Sequence, residues 1–403
     1  MRRKICYTLL KGGIAMHNIR LIARPPRRVE SRLADMSPAC ARETRAFHQG
    51  FPLYAPTPLI ELRALASRLG LGRLWVKDES PRFGLNAFKV LGGSYAIARH
   101  IAARQGLKAD EITYAALTGG ACREALKDAV FFTATDGNHG RGIAWTAREV
   151  GCRAVVRMPK GTADSRVNNI RALGAEVSVE DMNYDACVRL AARQAAQTPG
   201  GVLVQDTAWD GYTQIPLWIM QGYLTMALEA DEQMQCPPTH VFLQAGVGSM
   251  AAAVAGYFAL KYAQTPPRIV LLEPTAADCF FRSAERGRIE AVRGDMPTMM
   301  AGLACGEPNP LAWDILQNLP CAFLSCEDAV TALGMRLLAR PLAGDAPIVS
   351  GESGAVGAGA LWEIAADEQA RTALGLGEDA RVLLISTEGA TDPVNYRRIL
   401  ENS

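Results

Sequence analysis

The chain has 403 residues, more than one hydrophobic core usually accommodates, so its length predicts two domains. Hydrophobic residues make up 49% and charged residues 21% of the sequence, as in ordinary globular proteins, and the formal net charge of +2 argues against a nucleic-acid groove. The ten cysteines form no C-x-x-C pair, the five histidines form no ligand cluster, and no stretch approaches the ~20 apolar residues that span a bilayer. The composition therefore favours a metal-independent, cytoplasmic protein.

The start of the chain is strongly basic, because residues 1–28 contain eight Lys/Arg and no acidic residue. The apolar run in ICYTLLKGGIAM is interrupted by Lys11, and no A-x-A cleavage site follows it, so a signal peptide is disfavoured. We therefore predict that residues 1–45 form an N-terminal extension that is partly disordered.

Short apolar runs alternate with longer helical stretches over the rest of the chain. The runs predicted as buried strands are residues 74–79, 130–135, 153–158, 202–206, 240–245, 268–273 and 381–386. The segments predicted as helices include Gly140–Val150, Ala163–Leu173, Tyr184–Gln197, Leu217–Gln233 and Ala355–Asp367. Continuous apolar strands are typical of sheets covered on both faces, and strand–helix alternation predicts an α/β fold with doubly wound, mostly parallel sheets.

Ligands bind beyond the carboxyl ends of the strands in such sheets, so the residues that follow each run are candidate site residues. Lys89 follows the 74–79 strand after a short loop and opens a predicted helix. Partial burial near the positive end of a helix dipole should lower the pKa of its amine, and a neutral amine is the form that attacks an aldehyde. A lone lysine is far more often a solvated surface residue, so Lys89 by itself is a weak signal.

Glycine-rich turns follow two further strands. The first, Thr135–Gly142, contains Asn138, whose amide can donate to a phenolic oxygen, and His139, which we interpret as a helix-start residue rather than an acid/base group. The second, Gly246–Ser249, precedes an alanine-rich helix, and N–H groups at a helix start can hold a phosphate. As a G-x-G-x-x-G dinucleotide motif the second turn is incomplete, because Ala251 replaces the third glycine.

The last strand ends in two hydroxyl residues, Ser386 and Thr387. A hydroxyl that faces a pyridine nitrogen leaves that nitrogen mostly unprotonated, which suits β-elimination and disfavours transamination. Together the strand ends supply an amine, a phosphate cradle, a donor for a phenolic oxygen and a partner for a ring nitrogen.

With these residues in view, the sequence resembles fold-type II (tryptophan synthase β-like) pyridoxal-phosphate enzymes, and within them the diaminopropionate ammonia-lyase family. The resemblance extends from about Phe47 to Tyr396 and is carried by PTPL (56–59), VKDESPRFGLNAFK (76–89), TATDGNHGRG (133–142), VQDTAWDGY (204–212), QAGVG (244–248), AGLACGEPNP (301–310) and SGESGAVG (350–357). We accordingly expect a large cofactor-binding domain formed by residues 46–92 and 213–403, a small domain formed by residues 93–212, and a homodimer.

The resemblance also implies roles for individual residues. Lys89 would hold pyridoxal phosphate as a Schiff base, and Asn138 would bond the cofactor's O3′ oxygen. Thr387, or with less support Ser386, would face the pyridine nitrogen. The phosphate would be held by Gly246, Val247, Gly248 and Ser249.

Two aspartates, Asp136 and Asp206, match family residues implicated in proton abstraction. Related serine and threonine dehydratases carry a small hydroxyl residue at the position of Asp136, close to the substrate carboxylate. Two like charges about 4 Å apart near a protein surface repel by roughly 4 kcal/mol, so an aspartate there favours a substrate with a second, cationic amino group. Asp206 is a second candidate carboxylate, and we expect it in an aromatic setting with Trp209 and Tyr212.

The expected activity is therefore the elimination of ammonia from D- or L-2,3-diaminopropionate, an amino acid substrate, to give pyruvate. One alternative is a serine/threonine dehydratase-like enzyme that uses the same cofactor. An alternative of another class is an inactive binding or regulatory protein on the same scaffold.

Overall fold

The structure is a computed structural model, and it describes residues 13–26, 32–108 and 111–401. The strands are β1 (Ile14–Ala15), β2 (Ile19–Ala23), β3 (Leu59–Glu61), β4 (Arg73–Asp78), β5 (Val130–Ala134), β6 (Arg153–Met158), β7 (Glu176–Val179), β8 (Gly201–Leu203), β9 (His240–Gln244), β10 (Arg268–Pro274), β11 (Pro320–Cys326) and β12 (Arg381–Ser386). The helices are α1 (Pro38–Gln49), α2 (Arg63–Arg68), α3 (Val90–Gln105), α4 (Tyr114–Thr118), α5 (Gly120–Ala125), α6 (Asn138–Val150), α7 (Asp164–Arg171), α8 (Tyr184–Gln197), α9 (Gln214–Gly222), α10 (Leu224–Gln233), α11 (Ser249–Lys261), α12 (Cys279–Arg286), α13 (Pro310–Leu316), α14 (Asp328–Ala339), α15 (Val356–Ala366), α16 (Glu368–Leu374) and α17 (Pro393–Glu401). Within the described ranges, no helix combines the length and the apolar character needed to cross a membrane.

The main sheet has the strand order β1-β2-β11-β10-β9-β12-β4-β3 among the described residues. Its central strands, from β11 to β4, are parallel, whereas β1, β2 and β3 pair antiparallel at the edges. Alternate residues of a central strand belong to two separate hydrophobic cores: Val241 and Leu243 lie in one core, and Phe242 lies in the other. Because both faces are covered, these strands are apolar throughout, and the predicted α/β fold is confirmed.

The second sheet, β7-β6-β5-β8, is parallel throughout and lies within residues 130–203. Helices α6 and α8 pack against it, and α3 contacts both α6 and α9. Helix α3 therefore packs between α6, which lies on the small sheet, and α9.

Two elements differ from the sequence prediction. The strand predicted over 202–206 ends at Leu203, and beyond it the side-chain oxygen of Gln205 accepts a hydrogen bond from the backbone N–H of Ala134 at 2.9 Å. The side chain thus replaces a ladder hydrogen bond and frees the backbone to turn. The single helix predicted over 217–233 is divided into α9 and α10 at Tyr223, which an uninterrupted apolar pattern does not reveal.

Two parts of the predicted N-terminal extension are ordered and pack on the rest of the fold. Residues 19–23 form β2, which pairs with β11, and α1 begins at Pro38 behind the capping residue Ser37. Ile19 is buried while Arg20 is exposed and reaches the buried carboxylate of Asp278, as expected of an edge strand with one covered face. The high count of basic residues concealed this alternation. Residues 1–12 and 27–31 of the predicted extension lie outside the described residues.

Candidate active site

The candidate active site is a cavity at the carboxyl ends of strands from both sheets. Most of its lining comes from segments at the ends of β4, β5, β8, β9 and β12, as the strand-end rule predicts. Eight of the ten predicted site residues line it: Lys89, Asn138, Asp206, Gly246, Val247, Gly248, Ser249 and Thr387. The lysine and the glycine-rich turn, far apart in sequence, therefore lie in one cavity.

Lys89 precedes α3 as its N-cap residue, so the predicted position at a helix start is confirmed. Its Nζ atom donates to Oδ2 of Asp206 at 2.8 Å; the Asp206 side chain is buried, and the Lys89 side chain is 15% exposed. Burial lowers the pKa of Lys89, but the carboxylate of Asp206 raises it, and the net pKa lies above the usual value for lysine. The predicted decrease is therefore wrong, because the sequence did not show an ion partner at this position.

Asp206 is held by several donors. Its Oδ1 atom accepts hydrogen bonds from the hydroxyl of Tyr184 at 3.0 Å and from the amide of Gln205 at 3.1 Å. Burial raises the pKa of Asp206, but the Lys89 ammonium lowers it, and the net pKa lies well below the usual value. Asp206 is therefore a carboxylate that stays ionised.

The aromatic neighbour of Asp206 differs from the one expected. The hydroxyl of Tyr212 contacts the main chain instead: it accepts from the N–H of Gln205 at 2.8 Å and donates to the carbonyl of Leu203 at 3.0 Å. Trp209 stacks on Tyr212 and is exposed. Tyr184, on the first turn of α8, supplies the aromatic hydroxyl, and nothing in its local sequence marks it.

Asp136 follows β5 and is nearly buried beside the cavity rather than lining it. Its Oδ2 atom has no hydrogen-bond partner among the described residues, and Nη1 of Arg166 lies 3.6 Å from it. Burial raises the pKa of Asp136, and Lys89 and Arg166 lower it without fully compensating, so the net pKa is raised. The two aspartates are thus shifted in opposite directions, which is the usual basis for dividing acid and base roles.

The glycine-rich turn leads directly into α11, a helix of 13 residues. Gly248 has a φ of +88°, in the left-handed region that favours glycine. The Ser249 hydroxyl donates to the backbone carbonyl of Asp206 at 2.6 Å, and the buried Asn309 donates to the Ser249 Oγ at 2.8 Å. The turn therefore presents N–H groups at a helix start, which is the geometry of an anion site.

Asn138, Thr387 and Glu388 also line the cavity. The Asn138 amide donates to Oε2 of Glu388, and the Thr387 hydroxyl accepts from the Gln244 amide at 3.2 Å. Ser386 does not line the cavity, because its hydroxyl donates to the Ser350 hydroxyl at 2.8 Å. Of the two hydroxyl residues, the geometry favours Thr387 as the partner of a ring nitrogen.

Sequence reasoning did not identify three further residues at the site. Tyr184 holds Asp206, Asn309 holds Ser249, and Tyr223 lines the cavity. Asn309 lies in the AGLACGEPNP run, which could have marked it. Tyr184 and Tyr223 lie at helix ends, in sequence segments that are typical of a hydrophobic core. Only the folded structure shows that they lie at the site.

A family model described as pyridoxal-phosphate dependent enzyme matches residues 51–388. Diaminopropionate ammonia-lyase from Salmonella typhimurium is 51% identical over 370 residues, which cover 89% of this chain and 91% of that protein. The chain belongs to the diaminopropionate ammonia-lyase family. The structure of the holo diaminopropionate ammonia-lyase of Escherichia coli has a TM-score of 0.88 and 48% identity, covering 95% of this chain and 96% of that one. The same enzyme in complex with an aminoacrylate–PLP azomethine reaction intermediate gives a TM-score of 0.87 at 48% identity and the same coverage.

Pyridoxal phosphate is the cofactor of the diaminopropionate ammonia-lyase family, and the residues of the cavity fit it. The turn before α11 offers N–H groups to a phosphate, and Lys89 offers an amine. The buried hydroxyl of Tyr223 lines the same cavity and has no hydrogen-bond partner among the described residues. Because buried polar groups are normally paired, this hydroxyl indicates that a polar ligand completes the site.

We expect Gly248→Ala to weaken pyridoxal-phosphate binding. A Cβ at this position would lie 2.3 Å from Cζ of Phe280, and an alanine would have to keep a backbone φ of +88°. The turn must therefore shift. Overpacking of this kind costs about 1–3 kcal/mol, and the dissociation constant of the cofactor should rise about tenfold, measured by titrating the apoprotein with pyridoxal phosphate. Gly161→Ala is the matched control, because Gly161 has a φ of +80° but no heavy atom within 4 Å of an added Cβ. Unchanged affinity in the Gly248 variant would contradict the assignment of the phosphate to this turn.

Proposed function

We propose that the chain catalyses the α,β-elimination of ammonia from 2,3-diaminopropionate. The substrate and one water molecule give pyruvate and two molecules of ammonia. The observation that carries the proposal is that two carboxylates, Asp136 and Asp206, lie within electrostatic reach of the same lysine, Lys89, at one cavity. A substrate with two amino groups can use both carboxylates.

When bound, pyridoxal phosphate withdraws electrons from the substrate Cα and makes the Cα proton acidic. We assign its aldehyde carbon to the amine of Lys89 and its O3′ oxygen to the amide of Asn138. Thr387 offers the ring nitrogen a hydroxyl rather than a carboxylate, which favours elimination over transamination. The residues assigned to the phosphate are Gly246, Val247, Gly248 and Ser249.

Lys89 and Asp136 are the proposed bases for the Cα proton, one for each enantiomer of the substrate. Asp206 is a poor proton donor, because its pKa is lowered and it remains ionised near neutral pH. A leaving amino group that has passed a proton to Asp136 is therefore protonated again by the Lys89 ammonium, which Asp206 stabilises at 2.8 Å, and departs as ammonia. Asp206 thus acts by keeping a proton on Lys89 until the amino group departs.

The Asp136 carboxylate supports the choice of a diamino substrate over serine or threonine. Its Oδ2 atom is buried and has no hydrogen-bond partner among the described residues, so it can accept from a substrate ammonium group. A hydroxy amino acid brings no second cation, and its carboxylate would face the negative charge of Asp136, which Arg166 balances only in part from 3.6 Å.

We also propose a cytoplasmic homodimer with two domains. Residues 46–92 and 213–403 would form the large domain, and residues 93–212 the small one. The small sheet lies wholly within 130–203, and the central strands of the main sheet lie outside that range, which supports the division. The family resemblance supports the dimer.

A side-by-side assay tests the proposed function. The purified protein is first checked for cofactor absorbance and then supplied with D-2,3-diaminopropionate, L-2,3-diaminopropionate, serine and threonine. We expect keto-acid release from at least one diaminopropionate enantiomer with a kcat/KM about tenfold or more above that for either hydroxy amino acid. Faster turnover of serine or threonine would identify a dehydratase instead, and a colourless protein without turnover would identify a binding protein.

A further inference from the structure

Arg166, on α7, is the centre of a buried charge cluster that we call the Arg166 cluster: Arg166, Asp136, Glu352 and Glu388. Its side chain is 8% exposed, its Nη1 atom lies 3.6 Å from Oδ2 of Asp136, and its Nη2 atom lies 3.7 Å from Oε2 of Glu352. These separations are those of ion pairs without direct hydrogen bonds. The Nε atom of Arg166 and both of these carboxylate oxygens have no hydrogen-bond partner among the described residues.

The Arg166 cluster joins the two sheets. Asp136 and Arg166 follow β5 and β6 of the small sheet, whereas Glu352 and Glu388 lie beside the main sheet, before α15 and after β12. Gly137 leaves space for the arginine, since a Cβ there would lie 3.2 Å from Cδ of Arg166. The arginine is therefore placed between Asp136, which interacts with Lys89, and Glu352, on the main-sheet side.

The two glutamates are fixed from the main-sheet side. Oε1 of Glu352 accepts from the Asn395 amide at 2.6 Å, and Oε1 of Glu388 accepts from the Ser353 N–H at 3.0 Å. Neither glutamate can follow the arginine freely. The position of the guanidinium between Asp136 and Glu352 thus depends on the balance of their charges.

One guanidinium faces three carboxyl groups, and burial raises the pKa of both Asp136 and Glu352, so the ionised form of each depends on Arg166. Burial raises the pKa of Asp136, the cations Lys89 and Arg166 lower it, and Glu388 raises it further. When the amine of Lys89 is committed to the cofactor, Arg166 is the remaining cation that favours the ionised form of Asp136.

The other titratable groups that interact with Asp136 are neutral near pH 7. Burial lowers the pKa of His139, and burial raises the pKa values of Tyr184 and Cys305. Asp392 adds a further negative charge that acts on Arg166. None of these groups can replace the arginine as a source of positive charge.

We propose that Arg166 is a positioning residue that keeps Asp136 ionised to receive the second ammonium group of the substrate, and that Glu352 competes with Asp136 for the same guanidinium. The inference deepens the proposed function and rests on it. It makes Arg166 a determinant of the preference for diamino over hydroxy amino acids, although the arginine does not line the cavity.

Opposite shifts in two variants of the Arg166 cluster test the proposal. Asp136 acts when ionised, so kcat/KM for the diaminopropionate enantiomer that uses Lys89 as its base should rise with pH through the Asp136 pKa, and Asp136→Asn should remove this rising limb of the pH dependence. Arg166→Gln removes a cation, so the limb should move to higher pH by about one pH unit. Glu352→Gln removes the competing anion, so the limb should move to lower pH. Arg189→Gln, in an exposed ion pair with Glu307, is the matched control and should leave the profile unchanged.

Thermal unfolding is measured on every holoenzyme variant, because a merely structural role would lower stability without opposite pH shifts. Shifts in the same direction, or no shift, would overturn the proposal. If Arg166→Gln fails to fold, the isosteric Glu352→Gln decides alone: a limb at lower pH supports the proposal, and an unmoved or higher limb refutes it. Failure of the proposed function is distinguishable, because the unaltered enzyme would then release no pyruvate from diaminopropionate.

Discussion

Lys89→Ala is expected to lower kcat/KM for diaminopropionate by about 10⁴-fold or more. The variant loses the amine that anchors the cofactor and the proton donor and acceptor next to Asp206. Activity is measured as pyruvate release, and the protein–cofactor linkage as cofactor absorbance that survives gel filtration. Both should be lost together.

Lys160→Ala is the control for this prediction, since Lys160 is a partly exposed lysine on the small-sheet side, in an ion pair with Asp295. It should retain both cofactor and turnover. A Lys89 variant that kept its cofactor absorbance and its activity would remove the basis of the whole active-site assignment.

Asp206→Asn is expected to lower kcat/KM by about 10²–10⁴-fold. Asp206 raises the pKa of Lys89 against the opposite effect of burial, so its neutralisation should lower that pKa and leave less ammonium to protonate the departing amino group. The loss should therefore become larger as pH rises. The measurement is the pH profile of kcat/KM.

Asp210→Asn is the matched control, because Asp210 is an exposed aspartate four residues away in the same loop. It should have no more than a small effect. A pH-independent loss in the Asp206 variant would show that Asp206 orients groups without tuning the proton on Lys89.

Strand prediction succeeded where burial produces uninterrupted apolar runs. The predicted segments 153–158 and 381–386 coincide with β6 and β12. The central strand β11 was missed, although all of its residues are buried, because Pro320, Ser325 and two cysteines disguise the run PCAFLSC. Short edge strands such as β3 have too few residues to show a two-residue period of hydrophobicity.

The site residues that could be predicted share one feature: each follows the carboxyl end of a strand. Their charge states could not be predicted, because the ion partner of Lys89 is Asp206, 117 residues away. Arg166 was missed for a related reason. Its helix reads DSRVNNIR, a sequence typical of a solvated surface, and only contacts with distant segments bury its guanidinium.

The antiparallel pairing of β2 with β11 has a consequence for how the protein avoids self-association. Without β2, the main sheet would end at β11, and a row of backbone donors and acceptors on an apolar strand would be open to another chain. Open, flat, apolar edges are templates for intermolecular β-pairing. β2 covers this edge, and the short strand β1 in turn pairs with Arg20 and Leu21 of β2. A segment remote from the chemistry thus protects the catalytic sheet from aggregation.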